Sequence, residues 1–371
     1  MQFSVKRDVL LKSLTFVQGV VEKKNTLPIL SNVLLILNEG KLKIVATDMD
    51  IVFYDEISDV KVEKEGSTTT SASILYDILR KITNNSSVSF NLSNDNKLSI
   101  KADNADFNLL CLAPDNFPSF PEEFSSDIIS INRDQFLSLL NKTRISISND
   151  DTRHYLNGVF LHITSGNQQN FLTGVSTDSH RLSSCGLKID SLNNFPSIIL
   201  PKKTVYQLCS LLAENSKDVK VQTSENRIQF IFGNTKLISK VIDGKFPDYK
   251  KVVPTDNKKA LVVPTKEFIN SVERVTTVSS DKKEGVKLNV SKNCVKLSVT
   301  SANSGDGKEI IKADYNDDEI TISFNSKYLI DIASQIEDER LKINFKDPVS
   351  PVLIEDYSDK NSYYVIMPMK I

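Results

Sequence analysis

Tryptophan is absent from the 371 residues, histidine occurs only three times, and the four cysteines are scattered. Each shortage excludes something. Cys111, Cys185, Cys209 and Cys294 form no CxxC pair, so neither a zinc site nor a disulfide framework is indicated. Three of them sit in apolar or strand-like runs and read as reduced core residues, which suits the cytoplasm. The chain has no glycine-rich phosphate loop and no metal-ligand spacing, so an enzyme would have little to build on, and no metal or cofactor is expected. No apolar run reaches the roughly 20 residues of a membrane span, and no membrane partner is expected. The start of the chain carries charge at Lys6, Arg7, Asp8 and Lys12, unlike a signal peptide. A net charge of −1 gives no global attraction to nucleic acid, so any attraction must come from how the charge is distributed.

What is present is ordinary for a globular protein: 40% apolar and 25% charged residues, in a length that allows two or three domains. The informative feature is a recurring phrase. Residues 129–140 read ISINRDQFLSLL, alternating at first, then changing period. Phe136, Leu140 and Thr143 fall at i, i+4, i+7, one stripe of an amphipathic helix, with Asn132 placed to cap it. The same phrase precedes Leu10, Leu14 and Val17, and again Phe268, Val272 and Val275. Leu10, Phe136 and Phe268 are 126 and 132 residues apart, which argues for three domains of one architecture.

The intervening sequence repeats as well. In the first third, strands are expected at 30–37, 41–47 and 51–57. A second helix is expected at 72–82, with Ile74, Ile78 and Ile82 at i, i+4, i+8 and Leu75 and Leu79 beside them, and then strands at 88–92, 97–101 and 107–112. The middle third gives strands at 156–163, 171–176 and 181–189, a helix at 201–214, and strands at 219–223, 227–232 and 235–241. The last third gives strands at 286–290, 294–300 and 309–315, a helix from the Asn325 cap to about 336, and strands at 341–345, 351–355 and 362–367. Polar or proline-containing stretches set the borders at 1–126, 127–255 and 256–371. The class is α+β, mostly antiparallel sheet with two helices per domain on one side.

Within these repeats stand NTLPILSN (25–32), ATD (46–48), DNFP (115–118), RHYLNG (153–158), TDSHRL (177–182), IDGKFPDY (242–249) and MPMKI (367–371). In this order and spacing, over the whole length, the chain resembles the bacterial sliding clamps, the β subunits of DNA polymerase III. The resemblance implies a head-to-tail homodimer closing a ring of six domains, with sheets outside and helices lining the hole. It implies a processivity factor in DNA replication that encircles duplex DNA without reading its sequence. It also implies tethering of the polymerase α subunit, the clamp loader, other polymerases and mismatch-repair proteins through short peptide motifs. Any catalytic label, such as DNA-directed DNA polymerase or nucleotidyltransferase, would belong to the polymerase assembly. The charge distribution agrees: in the six helical stretches Lys and Arg number 15 against 8 Asp and Glu. A repeat-built scaffold without DNA, and an enzyme, remain as other readings at this point.

By the same resemblance, Lys24 matches a basic residue that touches DNA, and His154 and Tyr155 stand where the family often has two tyrosines. Arg7, Arg133, Lys142, Arg144, Lys202 and Lys203 are helix or helix-cap cations suited to phosphate contact. The TDSHRL run invites a hydrolase reading, but adjacent strand residues point to opposite faces and cannot form a relay. The family instead implies a peptide pocket of Leu156, Thr177, Ser179, His180, Arg181, Leu182, Pro247, Val252, Val365, Ile366, Met367, Pro368 and Met369. Its rim would be Lys251, Asn325, Tyr328, Val349 and Pro351; Lys283 falls where some members carry an aromatic. The ring contact is expected at Phe107, Leu109, Thr277, Val278, Asn303 and Asp306. The family's basic positions there hold Asn104 and Asp106, and Asn303, Gly305 and Asp306 supply its acidic ones only in part, so edge-strand pairing and apolar burial should outweigh ion pairs.

Overall fold

The structure, a computed structural model, describes residues 1–22, 26–120, 124, 126–166, 169–189, 195–279 and 285–370. Among these residues there are six α-helices: α1 (Arg7–Val20), α2 (Ala72–Lys81), α3 (Arg133–Arg144), α4 (Lys202–Glu214), α5 (Thr265–Thr276) and α6 (Ser326–Ala333). The recurring stripes are what α1, α3 and α5 bury. Leu10, Leu14 and Val17 on α1, Phe136, Leu140 and Thr143 on α3, and Phe268, Val272 and Val275 on α5 are all withdrawn from solvent. Each large apolar side chain so placed contributes about 1.5–3 kcal/mol relative to exposure.

α2 buries only part of its expected apolar face. It buries Ala72, Leu75 and Leu79, and Ile74 is half exposed. Ser71 caps it by accepting from the Ile74 amide, and Arg80 and Lys81 sit in its last turn, where the helix dipole favours cations. Asn325 caps α6 as expected, its side-chain oxygen accepting from the Tyr328 amide at 3.3 Å, but α6 ends at Ala333, short of residue 336.

The chain forms two compact units, Met1–Asp134 with Lys203–Val241, and Gln135–Lys202 with Ile242–Ile371. This division cuts through the middle repeat, and strand pairing is the reason. In the first unit, Thr235–Lys240 of the middle repeat pairs antiparallel with Ile51–Ile57 of the first, Lys236 opposite Tyr54 and Ser239 opposite Ile51. In the second unit, Arg181–Lys188 of the middle repeat pairs with Ser362–Ile366 of the last, Arg181 opposite Ile366. An eight-stranded sheet results there, running from Ile198–Pro201 to Lys259–Pro264. The same unit holds a separate four-stranded sheet that ends at Gly305–Lys312.

In the first unit, Ala105–Leu110 pairs on one side with Lys97–Ala102. On its other side only Leu112 and Cys111 are paired, with Thr69 and Thr70. The rest of that edge is open.

Several strands lacked a readable pattern in the sequence. Gly66–Ser71 is built from threonines, and Thr68, Thr69 and Thr70 are buried. Val60–Lys64, Ile198–Pro201 and Ile320–Asn325 are the others. Leu156, expected to open a strand, ends the short 3-10 segment Asp151–Leu156 instead, and the strand begins at Gly158.

One buried polar group gives the second unit a pH dependence. His162 is 9% exposed, stacked on Phe160 with centroids 4.4 Å apart, and its Nε2 lies 3.0 Å from the Tyr249 hydroxyl. Its Nδ1 has no partner. Burial, helped by the Lys250 charge, pushes the imidazole pKa down from 6.5 to about 4. The unfolded chain then binds a proton that the folded chain refuses between those values. Stability is complete above pH 6.5 and declines as pH falls towards 4. Urea unfolding at pH 7 and pH 4.5 should differ by about 2 kcal/mol more in the wild type than in His162→Phe. Equal differences would show that the imidazole takes up no proton on unfolding.

Candidate functional site

The run Thr177–Leu182 is not one strand: Thr177 ends one and Arg181 begins the next. A tight turn joins Gln169–Thr177 to the strand that starts at Arg181. Asp178 makes it: Oδ1 accepts from the amides of His180 and Arg181, both at 3.0 Å, and Oδ2 accepts from Arg181 Nε at 3.1 Å. The Thr177 hydroxyl donates to the Arg181 carbonyl at 2.7 Å, and Ser179 is forced to φ +75°. Ser179 Oγ accepts from Arg153, and the His180 ring faces Tyr328. The first repeat makes the same turn with Thr47 and Asp48: Thr47 Oγ1 donates to Ile51 O, Asp48 Oδ1 accepts from Asp50 and Ile51, and Met49 has φ +81°. A serine, histidine and aspartate together are here the parts of a repeated turn.

Beside this turn opens a cleft of about 980 Å³. Of the expected pocket residues, His180, Arg181, Asn325, Tyr328, Met367, Pro368 and Met369 line it. Arg181 is 8% exposed, donates Nη1 to Asp331 at 2.8 Å, and lies 4.2 Å below the centre of the Tyr328 ring. Burial, with the Asp178 charge, holds the Tyr328 hydroxyl above its ordinary pKa. The segment Met367–Lys370 is held by its backbone, Met367 N donating to His180 O and Met369 N to Ser323 O, both at 2.8 Å. Its methionine side chains stay out, 42% and 39% exposed.

Other expected residues lie elsewhere. Leu156, Leu182 and Val365 are buried in one apolar cluster with Phe246 and Tyr249, and Ile366 is fully buried. Pro247, Val252, Val349 and Lys251 are exposed, Lys251 pairing with Asp248, while Pro351 is half-buried and its carbonyl accepts from Asn257. The sequence reading missed one wall, Ile147–Asp150 with Arg153, and the lysines Lys327 and Lys370. The only signal for that wall was Asp150 three residues before Arg153, an ion pair at 2.8 Å.

The expected phosphate contacts need correction. Arg7 is 8% exposed, and its guanidinium donates to the carbonyls of Leu79 at 2.7 Å and Arg80 at 3.0 Å, at the end of α2. Arg133, at the matching position of the next repeat, donates to Leu212 and Asn215 at 2.7 and 2.8 Å and to Ala213 at 3.1 Å, at the end of α4. Both satisfy carbonyls that a helix leaves without partners. In the third repeat Thr265 stands there, its hydroxyl donating to Asp338 O at 3.0 Å. Lys142 is 4% exposed and pairs with Asp359 and Glu337. Lys203 donates to Val20 O at the end of α1 and pairs with Asp48. Lys202 donates to Asn149, Arg144 is half-buried at the end of α3, and His154 Nε2 lies 3.2 Å from Asp243 O, with Tyr155 edge-on to its ring. Lys24 and Lys283 lie outside the described residues.

At the expected ring contact, Phe107 and Leu109 are half-buried on the open edge strand, and Phe107 lines a groove of about 540 Å³ with Ile74, Ile78 and Ile82. Thr277 follows α5, Val278 packs partly onto the core, and Asn303 and Asp306 are exposed, Asp306 pairing with Lys308 at 2.9 Å. Gly307 lets the edge strand approach α5, since a Cβ there would sit 2.8 Å from Val275 O.

Three family profiles match the chain: DNA polymerase III beta subunit N-terminal domain over 1–121, central domain over 130–248 and C-terminal domain over 250–370. The chain is 36% identical over 373 residues to the beta sliding clamp of Caulobacter vibrioides, covering 100% of both. It is 31% identical to that of Escherichia coli, again over 100% of both. Among solved structures it resembles the sliding clamp of Bartonella birtlesii bound to griselimycin, with TM-score 0.95 and 36% identity over 100% of each chain.

The arginine braces make a prediction of their own. Arg133→Ala leaves the last carbonyls of α4 without their donor and should lower stability by about 1–3 kcal/mol in urea unfolding. Loss below about 0.5 kcal/mol, the size of an ordinary surface change, would mean the brace is idle.

Proposed function

Because the chain belongs to the DNA polymerase III β-subunit family, we propose that this DNA sliding clamp encloses duplex DNA as a head-to-tail pair of copies and holds its polymerase by the cleft. It is a processivity factor. The catalytic step is the polymerase's, and this chain contributes continued attachment. The three clamp domains have their borders near residues 126 and 255.

The edge strands are the observation that carries the ring. Twice within one chain, the edge of the middle repeat is closed by a strand of a neighbouring repeat. Among the described residues, two unpaired stretches also present a large exposed apolar side chain: Ala105–Leu110, unpaired on one side, in the first repeat, and the sheet edge Gly305–Lys312 in the third. Each exposes backbone donors and acceptors together with a large apolar side chain, Leu110 at 76% and Ile310 at 65%. Pairing the first edge of one copy with the third-repeat edge of another extends the rule already used inside the chain, and two such heterologous contacts close a ring. The Ile74, Ile78 and Ile82 groove lies beside the first of these edges and supplies apolar area.

Within that ring the attraction to duplex rests on cations presented by the helices and their loops, without base contacts, so the DNA slides. Arg7, Arg133 and Lys142 are not among them. Arg144, Lys202, His154, Tyr155 and Lys24 remain proposed contacts. The cleft takes short peptide motifs from the polymerase α subunit, the clamp loader, other polymerases and mismatch-repair proteins. Its exposed methionines adapt to varied apolar side chains. No described helix is long and apolar enough to cross a membrane, and the proposed site of action is the cytoplasm with the chromosome.

The charges at both edges are already paired within the chain: Lys101 with Asp106, Asp306 with Lys308, and Arg274 with Glu309. The dimer dissociation constant should therefore change less than about tenfold between 0.05 and 0.5 M salt in sedimentation runs. A steep weakening with salt would assign the contact to ion pairs instead. Once loaded on a nicked circle, the protein should stay bound through gel filtration and be lost when the circle is cut. Equal loss from both substrates ends the encircling reading. Met367→Ala should weaken binding of a polymerase C-terminal peptide by roughly tenfold, about 1.4 kcal/mol, and unchanged affinity would remove the cleft from that role.

A further inference from the structure

Among the described residues Lys142 is the most deeply buried ammonium, and the proposed DNA contact gives it no task. It lies in the last turn of α3, 4% exposed, with Nζ 2.8 Å from Asp359 Oδ2 and 2.9 Å from Glu337 Oε1. The Asp359 carboxylate and the Glu337 backbone are themselves held. Asp359 Oδ1 accepts from the Asn361 amide at 3.0 Å, and the Glu337 amide donates to buried Asp356 at 2.8 Å. Burial alone would push the Lys142 pKa down, but the hydrogen bonds to Asp359 and Glu337 outweigh it and the net direction is up. Asp359 is held down in turn, its burial outweighed by hydrogen bonds from Lys142, Ser362 and the Asn361 amide.

The three joined residues each lead directly into a wall of the cleft. Five residues after Lys142 comes Ile147, where one wall begins. Glu337 follows α6, whose first turn supplies Lys327 and Tyr328. Asp359 precedes Ser362–Ile366, which runs into Met367 and its neighbours. The remaining wall, the turn at Asp178–Arg181, is tied to α6 by Arg181 and Asp331. One ammonium therefore binds segments from the middle and last repeats whose relative placement sets the shape of the cleft.

We propose that Lys142 is a positioning residue for partner binding: by pairing with Glu337 and Asp359 it holds three walls of the cleft at a fixed separation. Apolar residues could fill the same space without the cost of burying charge. What the ion pairs add is direction and distance, which packing alone leaves free to slide. This inference rests on the reading of the cleft as the partner site.

The test uses the full-length protein with griselimycin as the probe, by calorimetry, and hydrogen exchange in parallel. Lys142→Met, at a temperature where circular dichroism shows it folded, should bind griselimycin at least tenfold more weakly and exchange faster at 147–153 and 367–370. Lys142→Arg, which keeps the charge, should stay within about threefold of wild type. Arg7→Ala, a destabilised variant with its change in the first unit, should bind normally. Unchanged affinity in folded Lys142→Met overturns the proposal, as does equal weakening in Arg7→Ala, which would make the loss one of stability alone. If the wild type itself fails to bind griselimycin, the cleft reading falls. The exchange result then decides separately whether Lys142 holds the walls, and unchanged exchange overturns that too.

Discussion

An unpaired strand edge is the constraint on which this architecture depends. Each repeat makes sheets whose outermost strands carry free backbone donors and acceptors, and such edges must be covered or they recruit other chains. The chain covers two of them internally. Thr235–Lys240 of the middle repeat lies against Ile51–Ile57, and Ser362–Ile366 of the last repeat lies against Arg181–Lys188. This explains why the compact units ignore the repeat borders: the sheets are continuous where the domains are not. Among the described residues it also leaves Ala105–Leu110 in the first repeat and Gly305–Lys312 in the third unpaired on one side, and the proposed ring would use these.

Helix ends impose the second demand. Every helix leaves its last carbonyls without amide partners. Here Arg7 and Arg133 reach from the first turn of one helix to the end of the next in the same repeat, and Lys203 reaches the end of α1. A phosphate oxygen and a helix-terminal carbonyl attract the same guanidinium by the same physics. A basic residue at a helix start is therefore ambiguous in sequence, and only three-dimensional proximity decides which acceptor it meets. That is why the cationic excess of the helices could be counted from composition, whereas the individual contacts could not be assigned from it.

The legible part of the fold was the part with periodicity. The three stripes on α1, α3 and α5 and most strands were readable because each buries one face and so alternates or recurs at 3.6 residues. Gly66–Ser71 was hidden because buried threonines carry no apolar signal. On α2 only the leucines of the expected apolar face enter the core, while its isoleucines line a groove. For the cleft, the family resemblance pointed to Met367, His180 and Arg181, while Ile147–Asp150 and Lys327 stayed invisible. They join it only through contacts between segments nearly 180 residues apart, and no local pattern encodes that.

The repeated turn shows how a structural device acquires a function. Thr47–Asp48 and Thr177–Asp178 make the same hydrogen bonds, so the turn itself is a requirement of the fold. The two copies differ in the neighbours of the aspartate. Asp48 is taken by Lys203. Asp178 is taken by Arg181, whose guanidinium spreads under Tyr328 and reaches Asp331 on α6. Pairing of the following strand with Ser362–Ile366 then brings Met367–Met369 alongside. The proposed partner cleft thus lies where the pseudo-symmetry of the chain is broken. The repeat supplies a rigid turn at both places, each with an exposed methionine or polar tip, and the cleft with Met367 and Met369 forms at the one where Ser362–Ile366 pairs alongside.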